Sequence, residues 1–371
     1  MKSPFKQSRL IARLWLVFFA SLNRYCLRYF PHKTNKILIP TQLLLGDCLL
    51  ALSLINKVLQ NHPESELIVA APSYAIAIFK KLNLPVTWIV WNEKSIEDLQ
   101  KIRSLGPFKV AYIPFEKWGS LWANAFGARE VVGFTFPDIA FHNHFLTYEV
   151  PLPLSVLPIS DWLMQLLPGA NPQPYVAKPF LFILPDSKIK LSQNKKVILH
   201  IGARNENRRW TAENWTVVAE KIRAMGMHVV WTYAENEQAW SSTINKMPQD
   251  LDTGGKLSFD ELISLIASVD AVISPDTGVA HLCKLTATPN VVIYGQGNPG
   301  IHGNGEYWQL SPVRNIFLEN IPCRSMRKVF GRQLQGVARC DLDSRRCANP
   351  YCQNTIRPET VISALISLLK V

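Results

Sequence analysis

Asp270–Cys283 reads DAVISPDTGVAHLC. A short apolar run, Ala271, Val272 and Ile273, ends in Ser274–Pro275–Asp276–Thr277–Gly278, and a helical pattern then starts at Val279 with His281 in its first turn. Strand, tight polar turn and helix is how an open α/β sheet presents a helix N-terminus at the carboxyl edge of its strands. Unpaired N–H groups and the positive end of the helix dipole make such a terminus attractive to anions. Thr277 adds a hydroxyl donor, and Gly278 has no side chain to hold a phosphate away from the backbone. Plain N-capping by Asp276 is the competing explanation. It accounts for the aspartate but does not call for Gly278 and His281, so phosphate binding is preferred.

Outward from this stretch the same grammar continues on both sides. Val197–Ile201, His228–Tyr233, Ala271–Ser274 and Asn290–Tyr294 read as strands, with helices at Ala212–Met225, Phe259–Ser268 and Val279–Leu285. An earlier alternation has strands at Lys36–Thr41, Glu66–Ala71, Val86–Trp91, Lys109–Pro114 and Glu130–Phe134. Helical patterns lie at Asp47–Leu59, Tyr74–Leu82, Ile96–Ser104 and Leu121–Phe126. Strands alternating with helices imply mostly parallel sheets. Between the two alternations, prolines from Pro151 to Pro185 leave only a helix around Asp161–Leu167, which places a domain boundary there. The expected division is a basic segment 1–35, a first domain 36–177, a second domain 178–353 and a terminal helix 354–371. Beyond Gly305 the sequence reads as irregular, basic and cysteine-bearing until a helix at Pro358–Lys370.

The 371 residues suffice for two domains, and 48% apolar with 18% charged residues are globular values. The net charge of +12 is concentrated: residues 1–36 carry eight Lys and Arg and no Asp or Glu. Within that arm, Leu10–Phe30 is interrupted by Arg13 and Arg24 and is not a spanning helix, which needs ~20 apolar residues. No small-residue cleavage site follows its apolar core. A basic helix with Trp15, Phe18, Phe19, Tyr25 and Tyr29 suits an anionic membrane surface, while packing on the protein's own surface is the equal alternative. Charge gathered on this helix favours a membrane over nucleic acid as partner. Seven cysteines, an odd number, point to a reducing compartment, the cytoplasm.

Two further loops carry chemistry-bearing residues. In KILIPTQLLLGDC, Lys36–Cys48, Gly46 allows a tight turn and delivers Asp47 to a helix start. Asp47 is a cap on the bland reading; on the functional one it takes a proton from a substrate hydroxyl. In HIGARNENRRW, His200–Trp210, Gly202 follows a strand and Arg204, Arg208 and Arg209 precede a helix, an arrangement suited to a pyrophosphate. Gly295–Gly300, GQGNPG, matches the dinucleotide pattern and raises a nicotinamide-dependent oxidoreductase as a second hypothesis. Pro299, Gly303 and Gly305 should prevent the helix such a site needs, leaving a flexible loop. Asp250-x-Asp252 and Asp341-x-Asp343 mimic a metal-binding acid pair, and Cys323, Cys340, Cys347 and Cys352 lack the C-x-x-C spacing typical of zinc sites.

DTGVAH at Asp276–His281 resembles the D-[ST]-G-x-x-H signature of the family-nine glycosyltransferases, the bacterial lipopolysaccharide heptosyltransferases. Gly255–Gly300 is similar to that family throughout, and LGDCLLAL, FGAREVVGF, HIGARNENRRW and CQNTIRPETVISAL agree in order. The resemblance implies a GT-B fold, two Rossmann-like domains facing a central cleft, with neither metal nor cofactor. It implies an inverting transferase that moves a heptose or related sugar from an ADP-sugar to a lipid A–core oligosaccharide. The family's alternatives are another nucleotide sugar or another cell-surface glycan acceptor. By the family pattern Asp47 is the general base, Arg208 contacts phosphate, Thr277 and Gly278 form the phosphate turn, Asp276 reaches the sugar and Glu235 the ribose. Gly46, Gly202, Arg204 and Arg209 support the two loops, and His281 belongs to the donor site. The implied location is the cytoplasmic face of the inner membrane. The basic residue common in the family's first loop is here Thr41 or Gln42. The glycines usual after the donor domain's second strand are replaced by Trp231, Thr232 and Tyr233.

Overall fold

Runs such as Ile37–Ile39, Ile68–Ala70 and Val291–Ile293 are apolar on successive residues rather than alternate ones, and all are buried. Strands covered on both faces require parallel sheets flanked by helices. The computed structural model has this arrangement. It describes residues 4–29, 34–183, 194–326, 328–329, 332–334, 337–340, 342, 346–347 and 349–370, with backbone alone at 4–10, 27–29 and 332. Pro185, Asp341 and Asp343 lie outside the described residues, as do the side chains of Lys2, Lys6, Arg9, Arg28 and Lys33 in the basic arm.

The chain divides into two compact units, Met1–Ser155 with Ile159–Gln173 and Lys328–Leu334, and Val156–Pro158 with Pro174–Arg327 and Gln335–Val371. The first runs α1 (Pro4–Tyr29), β1 (Lys36–Pro40), α2 (Leu45–Leu50), α3 (Leu52–Asn61), β2 (Glu66–Ala71), α4 (Ser73–Phe79), β3 (Val86–Val90) and α5 (Ile96–Leu105). It continues with β4 (Phe108–Ile113), α6 (Gly119–Phe126), β5 (Ala128–Phe134), α7 (Ala140–His144), β6 (Tyr148–Val150) and α8 (Ile159–Met164). The second runs β7 (Lys196–His200), α9 (Ala212–Ala224), β8 (His228–Thr232), α10 (Gln238–Ser241), β9 (Leu251–Asp252), α11 (Phe259–Ala267), β10 (Ala271–Pro275) and α12 (Gly278–Thr286). It ends with β11 (Asn290–Tyr294), α13 (Pro299–His302), β12 (Val313–Phe317), α14 (Tyr351–Asn354) and α15 (Pro358–Leu369); a hairpin β13 (Lys328–Val329) and β14 (Arg332–Gln333) clusters with the first unit.

The strand orders are β3-β2-β1-β4-β5-β6 and β12-β11-β10-β7-β8-β9, parallel throughout both sheets. In unit-local numbering both are the Rossmann order 3-2-1-4-5-6. The order reverses between β1 and β4 in the first sheet and between β7 and β10 in the second, so ligand-binding loops belong at the carboxyl ends of those four strands.

The structure corrects the sequence in several elements. The helix expected at Asp47–Leu59 is two, with Ala51 between α2 and α3. The region after Gly305, expected to be irregular, contains β12, which pairs with β11 along its whole length. VRNIF escapes recognition because its half-buried, polar-containing pattern is that of an edge strand.

The amino-terminal helix has two apolar faces. Ala12, Leu16 and Ala20, at i, i+4 spacing, are buried in the first unit's core against α6, and the Asn23 amide donates to the Ala128 carbonyl at 3.2 Å. On the far side Ile11, Leu14, Phe18, Leu22 and Tyr25 form an exposed stripe of the same periodicity. Among the described residues, no helix is long and apolar enough to cross a membrane.

Candidate functional site

At the switch point of the second sheet, β10 ends at Pro275 and α12 begins at Gly278, which makes Thr277 the N-cap. Its hydroxyl makes no capping bond, although an N-cap threonine ordinarily accepts one. The Oγ1 atom is instead buried without a hydrogen-bond partner, as are Asp276 Oδ2 and His281 Nδ1. Buried polar atoms left unsatisfied are costly, and three at the start of one helix single the place out as a candidate site.

Basic side chains surround these atoms. An Arg208 NH1 donates to the Asp276 carbonyl at 2.7 Å and lies 3.7 Å from its carboxylate, and His302 Nδ1 is 4.0 Å from the same oxygen. Burial keeps the His281 imidazole well below its ordinary value, with the charges of Lys284, His302 and Arg208 acting the same way, so it is neutral. Lys284, buried on α12, donates to the carbonyls of His302 and Gly303 at 2.8 and 2.7 Å and fixes the backbone that carries His302. Gly297 is required opposite: a Cβ there would stand 2.2 Å from Asp276 Oδ2.

The loop after β7 is braced differently. Glu237, buried, accepts from the N–H groups of Ala203 and Ala234 at 2.8 and 2.9 Å and lies 3.5 Å from Arg209. A Cβ on Gly202 would fall 2.0 Å from Glu237 Oε2, which explains glycine at that position. The structure therefore brings Arg208, Asp276, Thr277, Gly278 and His281 together, while Gly202 and Arg209 meet at Glu237. Arg204 and Glu235 are exposed.

In the first unit, Gly46 and Asp47 lie half-buried in the first turn of α2, and Leu44, not Asp47, occupies the N-cap position. The preceding loop is tied from several directions. Thr41 N–H donates to Ala70 at 2.8 Å, Trp91 Nε1 to the Thr41 carbonyl at 3.1 Å, and the Tyr74 hydroxyl to the Leu43 carbonyl at 2.6 Å. Glu116, just beyond β4, accepts from the Gln42 N–H at 2.6 Å and the Thr41 hydroxyl at 3.3 Å. Burial pushes Glu116 up to about 7, partly offset by those two hydrogen bonds, while Glu93 and Asp47 raise it further. Thr41 and Gln42 are thus tied to a buried acid.

Other motifs resolve into structural roles. Asp250 takes two bonds of 2.9 Å from Arg223 and one of 2.8 Å from Trp231, and Asp252 pairs with Lys246 at 2.6 Å. The Gly295–Gly300 segment, expected to be a flexible loop, is buried from Gly295 to Asn298 and anchored through Gln296. This side chain donates to the Leu342 carbonyl at 2.6 Å and accepts from Asn205 at 2.8 Å. Asn298 donates to Ala338 at 3.2 Å, and Pro299 starts the single turn of α13 instead of preventing a helix. All seven cysteines are free thiols, and among the described residues no group of three or more His, Cys, Asp or Glu is arranged to hold a metal ion. Trp231 and Tyr233 are core residues, and Thr232 pairs with His200 at 3.0 Å.

Sequence reasoning missed Glu116, Glu237, His302 and Gln296. An acid directly after a strand, as in Ile113–Glu116, was the one signal available for Glu116. The other three act through partners far away in the chain.

Residues 168–332 match glycosyltransferase family 9 (heptosyltransferase). Lipopolysaccharide heptosyltransferase 1 of Salmonella typhimurium is 27% identical over 140 residues, which is 37% of this chain and 42% of that protein. Over that stretch the chain is similar to glycosyltransferase family 9. The chain matches less than half the length of that curated relative. The glycosyl transferase family 9 structure from Veillonella parvula superposes with a TM-score of 0.69 at 17% identity, over 91% of this chain and 98% of that one. The E. coli ADP-heptose lps heptosyltransferase II does so with 0.65 at 18% identity, over 90% and 98%. The α/β, GT-B class of fold expected from sequence is the fold these structures share with the chain.

Proposed function

We propose that the chain is an inverting glycosyltransferase that moves a heptose, or a related sugar, from an ADP-sugar to the lipopolysaccharide inner core. The observation that carries this is the cradle at β10–α12, where Asp276, Thr277 and His281 bury polar atoms that the protein leaves unsatisfied. An α-helix N-terminus beside Arg208 suits a diphosphate, and the E. coli structural relative is named for ADP-heptose. On this reading the second unit holds the donor: Thr277, Gly278 and Arg208 face the diphosphate, Asp276 and His281 the sugar side, and Glu235 the ribose. The first unit supplies Asp47, which removes the proton from the acceptor hydroxyl as that oxygen attacks the anomeric carbon and the ADP–sugar bond breaks. The helix terminus and Arg208 stabilise the departing diphosphate without a metal.

The exposed stripe of α1, on an arm rich in Lys and Arg, supports a peripheral position on an anionic membrane, at its cytoplasmic face where such acceptors are built. The nicotinamide alternative loses its main support, since Gln296 and Asn298 tie the glycine-rich segment to Leu342 and Ala338.

The decisive experiment incubates the full chain with ADP-heptose and truncated core acceptors and reads products by mass. Asp47→Ala should lower turnover by about 10²-fold or more while ADP binding is retained. Retained turnover or lost ADP binding in that variant refutes the assignment, and absence of any product with every ADP-sugar tried refutes the donor class.

A further inference from the structure

Beside α1 the first unit contains a cavity of about 510 Å³ that the sugar-transfer reading does not use. This is within the ~300–1,000 Å³ range of small-molecule sites. Its floor is apolar: Ala12 and Leu16 of α1 face Leu121 and Trp122 of α6, all four nearly inaccessible. At the mouth stand two exposed aromatics, Trp118 (42%) and Phe141 (43%), with ring centroids 5.7 Å apart. The Arg13 guanidinium lies over the Trp118 ring at 5.6 Å, and Lys94 and Glu93 complete the polar edge.

The chemistry of the lining selects its occupant. A sugar or nucleotide needs several converging hydrogen-bond groups, and the floor offers hydrocarbon and ring faces. A linear apolar chain fits the floor, and an anionic head group fits a mouth where Arg13 and Lys94 outnumber Glu93, with Arg13 on an arm whose first 36 residues carry eight cations and no acid. Val17, itself 42% exposed, lines the cavity and adjoins Leu14 and Phe18 of the outer stripe, so the opening is continuous with the apolar face of α1. We propose that this cavity takes one acyl chain of an anionic phospholipid, drawn from the surface on which α1 lies. The proposal rests on the membrane reading above and adds a stoichiometric lipid site to it.

The test uses the full chain and two probes: dodecyl phosphate below its critical micelle concentration, followed by calorimetry, and vesicles of phosphatidylglycerol with phosphatidylcholine, followed by sedimentation. One dodecyl phosphate should bind per chain, roughly fourfold more tightly for each added methylene, from ~0.8 kcal/mol per buried CH₂. Val17→Trp, which fills the cavity, should weaken dodecyl phosphate at least tenfold and leave vesicle sedimentation unchanged. Leu14→Ser with Phe18→Ser should do the reverse. Arg13→Glu provides a second variant at the mouth, should Val17→Trp lose its folded circular-dichroism spectrum; it too should weaken dodecyl phosphate. Vesicle binding without saturable dodecyl phosphate binding overturns the cavity site and leaves the membrane reading standing. Saturable binding by a wild-type chain that ignores vesicles removes the membrane reading, and phospholipid as the occupant with it. Equal affinity for dodecyl phosphate and dodecyl maltoside overturns the anionic requirement.

Discussion

Thr277 and Glu116 are single residues whose environments make opposite demands. Thr277 Oγ1 is buried without a partner, so its hydroxyl contributes only when a ligand is present. Thr277→Val should therefore weaken ADP binding about tenfold or more, the scale of one hydrogen bond to a charged group, while leaving thermal stability unchanged or slightly raised. Calorimetric titration beside a melting curve measures both. Glu116 is costly to the fold as an anion: burial raises its value from 4.5 to about 7. Between those values the native protein keeps a proton that the unfolded chain has released. Stability contributed by this group is thus present below about pH 4.5, falls as pH rises towards about 7, and is level above. Glu116→Gln retains an acceptor for Gln42 N–H and removes the titration. The decline in Tm between about pH 5 and about pH 8 should be smaller in the variant than in the wild type; an equal decline would place the pH dependence elsewhere.

Elements explain both what the sequence revealed and what it hid. The β10–α12 unit was legible because Ala271–Ile273, Pro275 and Gly278 each mark a local conformational change, and local signals survive in a linear reading. That the sheets are parallel was legible in the alternation and hydrophobic runs; the 3-2-1-4-5-6 order, with β6, β9 and β12, came only from the structure. What sequence could not supply was tertiary pairing. Nothing near Gly202 announces Glu237, and nothing near Gln296 announces Leu342. The same pairing makes the loop after β7 a sensitive element. Gly202→Ala should drive its methyl group against the Glu237 carboxylate, release the Ala203 and Ala234 N–H groups and cost ~1–3 kcal/mol of stability. Chemical denaturation measures that loss; a variant as stable as wild type would show that Glu237 is not the brace.

At the scale of the whole molecule, two copies of one topology carry different chemical equipment, an acid-bearing loop in one and a helix start with unsatisfied buried polar atoms in the other. The amino-terminal arm adds a third property. Sequence left packing and membrane contact as equal alternatives for this helix, and the structure gives it a buried face on α6 and an apolar face left outside. Deleting the arm would strip Ala12, Leu16 and Ala20 from the first unit's core, so truncation confounds stability with surface binding. Leu14→Ser combined with Phe18→Ser alters only exposed positions and should shift stability by about 0.5 kcal/mol or less. Sedimentation with anionic vesicles should fall at least tenfold, since two large apolar side chains leave the interface. Turnover should separate in the same way: an acceptor embedded in anionic vesicles should be used more slowly by the double variant, and a soluble truncated acceptor at the wild-type rate. Rising salt should narrow the difference on vesicles by screening the basic arm in the wild type. Equal turnover of the embedded acceptor by both proteins would remove α1 from acceptor delivery and leave its outer stripe without a role in transfer.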